Sequence, residues 1–94
     1  MENDIHLTIN GNKGYFSIVI DGKTEAKITF VFAGETKIII DHTEVNSGNS
    51  GKGFGKILVE RAVTFAREKN IKIIPLCPFA KSVFDKNPEL RNVL

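Results

Sequence analysis

A single cysteine, Cys77, in a chain of 94 residues excludes an intramolecular disulfide, a CxxC redox pair and a zinc ribbon, each of which needs at least two thiols. A reducing compartment is the natural setting for such a chain. The two histidines, His6 and His42, have no spaced carboxylate partners, so the sequence assembles no metal-ligand set and no metal is expected. Long hydrophobic runs are missing as well. Stretches such as Ile38-Ile39-Ile40 fall far short of the roughly 20 apolar residues that cross a bilayer. Charge of one sign does not accumulate: thirteen Lys and Arg stand against eleven Asp and Glu, with no block of either. That balance argues against a nucleic-acid partner. Met1 is followed by Glu2, Asn3 and Asp4 instead of a basic segment and an apolar one, so no signal peptide is expected and the chain reads as cytoplasmic.

What remains is an ordinary globular composition, 41% hydrophobic and 26% charged. A chain of this length makes one domain, residues 1–94, burying roughly 60–65% of the surface its unfolded form exposes. The first half alternates with the period of strands. Ile5–Ile9, Tyr15–Ile20, Ala26–Phe32 and Lys37–Thr43 are separated by turn clusters at Asn10–Gly14, Asp21-Gly22 and Ala33–Glu35, which predicts a four-stranded antiparallel meander. The period then changes to 3.6. Phe54, Ile57, Leu58, Ala62, Phe65 and Ala66 share one face, so Gly53 to about Asn70 is predicted as an amphipathic helix. Ile71–Pro75 is a short apolar strand that follows a crossover helix and therefore pairs in parallel. A shorter helix from about Phe79 to Lys86, with Phe79, Val83 and Phe84 on a common face, closes the α/β pattern.

Between the meander and the first helix lies Ser50-Gly51-Lys52-Gly53-Phe54-Gly55-Lys56. Glycines at a helix start let main-chain N–H groups approach an anion, and the helix dipole adds positive potential there, reinforced by Lys52 and Lys56. A phosphate or pyrophosphate suits that end, although glycines at a loop-to-helix junction are equally compatible with a structural role. The segment is not a P-loop, since Gly51-Lys52 is followed by Gly53 instead of a hydroxyl residue and Asn46 occupies the place of the first glycine. Nor is it a dinucleotide fingerprint, because Lys56 stands at its last glycine and no βαβ unit precedes it.

The order of meander, Glu44-Val45, Gly-x-Gly-x-Gly loop, helix and strand resembles the core of the GNAT N-acetyltransferases. Their loop pattern, Gln/Arg-x-x-Gly-x-Gly/Ala, aligns with Ser50 to Gly55: Gly53 and Gly55 match and Ser50 departs. His42-Thr43-Glu44-Val45, Gly51-Lys52-Gly53 and Pro75-Leu76-Cys77-Pro78-Phe79 resemble most the small stand-alone GNAT-like proteins of the YjdJ type, over roughly Ile5 to Glu89. The resemblance implies a GNAT-like α/β fold: an antiparallel four-stranded meander, a helix, a parallel-paired fifth strand and a short C-terminal helix. It also implies that acetyl-CoA is the co-substrate, held by Ser50, Gly51, Lys52, Gly53, Phe54, Gly55 and Lys56 at the pyrophosphate and by the Val45 main chain along the pantetheine arm. No helical pair separates the first two strands, which implies an open acceptor site that a second subunit, in a homodimer, would complete.

Acetyl transfer to an amine requires a base, a polarising donor and an acid. Cys77 lies where the resemblance places the acyl end of the co-substrate, and it reads as a nucleophile, an acid for the departing thiolate, or a small buried hydrophobe. His42 and Glu44 are two residues apart on one strand, so they share a face and form a candidate base pair unless a bulge intervenes. A neighbouring His42 would serve as base to a Cys77 nucleophile. His6 is expected to face solvent and Tyr15 to be a core or surface aromatic. The function expected is therefore acetyl-CoA-dependent N-acetyl transfer to an amine of unknown identity. A non-catalytic CoA- or acyl-CoA-binding module is the alternative, and phosphate-mediated nucleic-acid binding the remotest reading.

Overall fold

The computed structural model describes residues 5–46, 48 and 53–94. Strands β1 (Ile5–Asn10), β2 (Lys13–Ile20), β3 (Lys23–Ala33) and β4 (Lys37–Val45) precede helix α1 (Phe54–Lys69), strand β5 (Lys72–Pro75), helix α2 (Pro78–Lys86) and a 3-10 turn at Pro88–Val93. They form one sheet in the order β1-β2-β3-β4-β5. The first three pairings are antiparallel and β4–β5 is parallel, as the period-two segments and the intervening helix predict. Asp21 and Gly22 both have positive φ, 52° and 79°, the backbone a type I′ hairpin turn requires.

Alternation along the strands sends Phe16, Ile18, Ile28, Phe30, Ile38, Ile40 and Ile73 to one face, where each is at most 2% exposed. Helix α1 covers that face with Leu58, Val59, Ala62, Val63, Phe65 and Ala66, the stripe its 3.6 period places inward. Phe16, Phe30 and Phe65 meet at ring-centroid distances of 5.6, 5.7 and 5.9 Å, contacts worth about 0.5–1.5 kcal/mol each beyond their burial. The helix stops at Lys69 because Asn70 adopts a left-handed backbone (φ 58°) and returns its N–H to the carbonyls of Ala66 and Arg67. Behind it, the 3-10 turn buries Leu90 and Val93 and is tied down by the Arg67 guanidinium, which donates to Glu89 O (2.9 Å) and Asn92 Oδ1 (2.8 Å).

Two features depart from the simple periodic reading. Phe79 does not share the inward face of Val83 and Phe84. It is 42% exposed, because it stands in the first turn of α2, where the helix leaves the sheet. The second departure is a bulge in β4: Phe30 pairs with Ile40 but Thr29 pairs with His42, so Asp41 is an extra residue. The Thr29 hydroxyl donates to Asp41 Oδ1 at 2.6 Å and pins it. One inserted residue exchanges the faces of everything beyond it. Thr43 and Val45 then continue the helix-covered face of Ile38 and Ile40, opposite Ile28 and Ala26, while His42 and Glu44 turn to the other face, opposite Thr29 and Lys27.

Candidate functional site

The site forms where β4 and β5 part. Their parallel register ends at Ile40↔Pro75, after which the N–H groups of Leu76 and Cys77 both donate to the Ile40 carbonyl, at 3.0 and 3.2 Å. From there β5 turns into α2, and β4 runs on through Val45 paired with β3. Asn46 N–H donates across to Glu25 O (2.9 Å), so the strand's alternation directs the main-chain groups of Val45 and Thr43 to the opposite edge, toward the opening. Val45, Leu76 and Phe79 present exposed apolar side chains on the segments bounding it.

Cys77 occupies the N-cap position of α2 with an extended backbone (φ −67°, ψ 127°), followed by Pro78 at the first helical position. It is 7% exposed, and its Sγ lies 3.3 Å from Thr43 Oγ1. Burial pushes its pKa up, but the Thr43 hydroxyl and the main-chain amides of Ala80, Phe79 and Thr43 outweigh burial and hold the thiol below its ordinary range. The sulfur makes no full capping hydrogen bond. The first-turn amides act on it as donors favouring the anion, in the manner of cysteines at helix N-termini.

His42 and Glu44 are brought together as their spacing predicts, with His42 Nε2 3.8 Å from Glu44 Oε1, because the bulge precedes both of them. Lys27 Nζ approaches the same carboxylate at 3.9 Å and lies 5.0 Å from the centre of the Tyr15 ring. This polar row occupies the face of the sheet away from α1. The expected pairing of Cys77 with His42 as its base is therefore overturned: the sheet stands between them, and the thiol's side-chain partner is Thr43. Thr43 was invisible to sequence reading because strict alternation from Ile38 and Ile40 puts His42, not Thr43, on the helix-covered face. His6 is exposed, and Tyr15 is half-buried with its ring under the Lys27 ammonium.

Helix α1 begins at Gly53, whose left-handed backbone (φ 76°) a side chain rarely adopts. The first turn holds no acidic residue, no side chain among the described residues caps it, and the ladder starts with Ile57 N–H to Gly53 O at 3.0 Å. The amides of Gly55 and Lys56 precede that ladder, so this positive helix end suits an anion, with exposed Lys56 beside it. Two loop expectations change. Phe54 is 5% exposed and packs in the core, so its ring serves the fold and not a ligand. Gly55 is buried under the Phe79 ring, so its missing side chain makes room for an aromatic and not for an anion. Ser50, Gly51 and Lys52 lie outside the described residues.

A family model described as GCN5-related N-acetyl-transferase matches residues 15–93. Among solved structures, a GCN5-like protein from Staphylococcus aureus is 36% identical, with a TM-score of 0.72 over 96% of this chain and 87% of that one. The ribosomal-protein-alanine N-acetyltransferase of Brucella melitensis biovar Abortus is 17% identical (TM-score 0.69, 83% of this chain, 62% of that one). Tetrahymena GCN5 is 16% identical (TM-score 0.68, 82% and 51%). These two longer enzymes share the fold, and the chain matches only about half to three-fifths of their length. Sequence comparison with curated proteins finds no match.

Proposed function

The chain belongs to the GCN5-related N-acetyltransferases, and from that premise we propose that it binds acetyl-CoA in the opening between β4 and β5 and transfers the acetyl group to an amine. The observation that carries this reading is the parting of the strands after Ile40, which leaves the main-chain edge of Val45 facing the opening beside the Cys77 thiol. Such an edge accepts an amide-bearing arm as an added strand does. The positive end of α1, with Lys56 and the main chain of Gly53 to Gly55, suits the pyrophosphate. Ser50, Gly51 and Lys52 are assigned to the same end by their sequence alone.

Acetyl-CoA supplies an activated thioester; the chain supplies the groups around it. Around Cys77, the Thr43 hydroxyl and the first-turn amides of α2 favour the thiolate over the thiol. As nucleophile it forms a carbon–sulfur bond to the acetyl carbon, the coenzyme thiolate leaves and takes up a proton, and the amine then displaces the cysteine sulfur. The amine gives up its proton as it attacks, and the departing Cys77 thiolate takes it and returns to the thiol, since His42 and Glu44 lie on the other face of the sheet.

The test incubates the protein with acetyl-CoA and a panel of amines and peptides, following coenzyme release and the protein mass. Acetyl on Cys77, turnover with an amine, and loss of both in Cys77→Ala support the reading. Binding without turnover on any acceptor leaves a non-catalytic acyl-CoA module.

A further inference from the structure

The contact between Phe79 and Gly55 joins the two helix N-termini that border the opening. A β-carbon added at Gly55 would sit 2.5 and 2.6 Å from two carbons of the Phe79 ring, closer than real side chains come, so the ring occupies the space a side chain would fill. The same ring leaves 42% of Phe79 exposed, unusual for a phenylalanine and unlike Phe84 one and a half turns later, which is 1% exposed. Gly55 lies in the first turn of α1 and Phe79 in the first turn of α2, two residues after Cys77.

We propose that Phe79 is a positioning residue that clamps the N-terminus of α2 to the N-terminus of α1, and so fixes the Cys77 thiol relative to the anion-binding end of the site. The inference rests on the acetyl-CoA reading above. Its physical basis is geometric. The amides of Phe79 and Ala80 act on Cys77, and they belong to the turn that the ring anchors. A pyrophosphate held by α1 and an acyl group at Cys77 are parts of one ligand, so the relation between the two helix ends determines whether both are reached together. It also explains why glycine stands at position 55, where the helical backbone itself does not require it.

The groups acting on Cys77 are the Thr43 hydroxyl and amide from β4 and the amides of Phe79 and Ala80 from α2. The charged side chains on the neighbouring elements are His42 and Glu44 on β4, Lys81 and Asp85 on α2 and Lys56 on α1.

The experiment measures acetyl-CoA affinity by calorimetry and, without ligand, the pH midpoint of Cys77 alkylation by iodoacetamide, for wild type, Phe79→Ala, Phe79→Leu, Gly55→Ala and the double variant Gly55→Ala/Phe79→Ala. Phe79→Ala and Gly55→Ala are expected to weaken acetyl-CoA binding about tenfold and to move the alkylation midpoint up toward the ordinary thiol range. The double variant should be no worse than Phe79→Ala alone, because the added methyl enters space the ring has left. Phe79→Leu, which keeps apolar bulk, should fall between and serves where the alanine variant does not fold. An unchanged midpoint together with affinity within twofold of wild type in folded Phe79 variants overturns the proposal. Should wild type bind no acetyl-CoA, the reading of the function fails, while the alkylation arm and its non-additivity still decide the role of Phe79.

Discussion

Lys37–Ile40 and Asp41–Val45 are two halves of one strand that share a backbone and differ in their surroundings. The first half is paired on both sides, and its Ile38 and Ile40 are fully buried. Among the described residues the second is paired with β3 alone, and His42, Glu44 and Val45 are exposed. Between them stands one inserted residue, Asp41, held by Thr29. Packing in the first half fixes where the second half begins, and the bulge decides which side chains it offers to each face. The lesson is that stability and chemistry are separated along β4 by a single register shift, so substitutions on either side of Asp41 should fail in different ways.

The largest effect belongs to the paired half. Ile40→Ala should cost about 2–5 kcal/mol, read as a lower urea midpoint, since the deleted atoms leave a cavity at a fully buried position. In the other half, His42→Ala should leave both folding and acetyl transfer nearly intact, read as an unchanged urea midpoint and kcat, because this exposed imidazole lies on the face away from Cys77. An equal loss of urea stability in both variants would erase the contrast. Across the opening, Gly53→Ala should cost about 1–2 kcal/mol in thermal denaturation, because it forces a side chain onto a φ of 76°.

Thr43→Val sharpens the comparison within the second half, with an expected loss of about 0.5–1.5 kcal/mol from one hydrogen bond. It should also raise the Cys77 alkylation midpoint. The folded thiol's pKa is depressed, so its linkage to stability is present above the unfolded thiol's pKa and lost as the pH falls through the folded value. The gap between Thr43→Val and wild type should therefore widen with rising pH, and urea titrations at neutral and alkaline pH would show it. Smallest of all, Lys27→Met should change stability by no more than about 0.5 kcal/mol, because its ion pair with Glu44 is solvent-exposed.

Much of this architecture was legible in residues 5–94. Apolar alternation gave four strands, the change of period at Phe54 gave α1, and the two helices end within a residue of Asn70 and at Lys86, the second beginning one residue earlier, at Pro78, than its expected start at Phe79. The His42–Glu44 pair followed from spacing alone. What the chain did not reveal depends on contacts distant in sequence. The bulge at Asp41 has no local signature beyond a polar residue after three isoleucines, and it alone moves Thr43 to Cys77 and His42 away from it. Gly55 read as a place for phosphate because the partner filling it, Phe79, lies in another helix. The C-terminal Pro88–Val93 turn has too few apolar positions for a period, yet Leu90 and Val93 seal the back of α1.

The most direct test is an amide NMR titration with acetyl-CoA and, separately, CoA, followed at Thr43, Val45, Gly53 to Lys56 and Cys77 to Ala80. Shifts concentrated in those segments, with Ile38 to Ile40 unmoved, are the predicted result. No shifts at millimolar ligand, or shifts spread evenly over both halves of β4, would contradict a co-substrate site at the parting of β4 and β5.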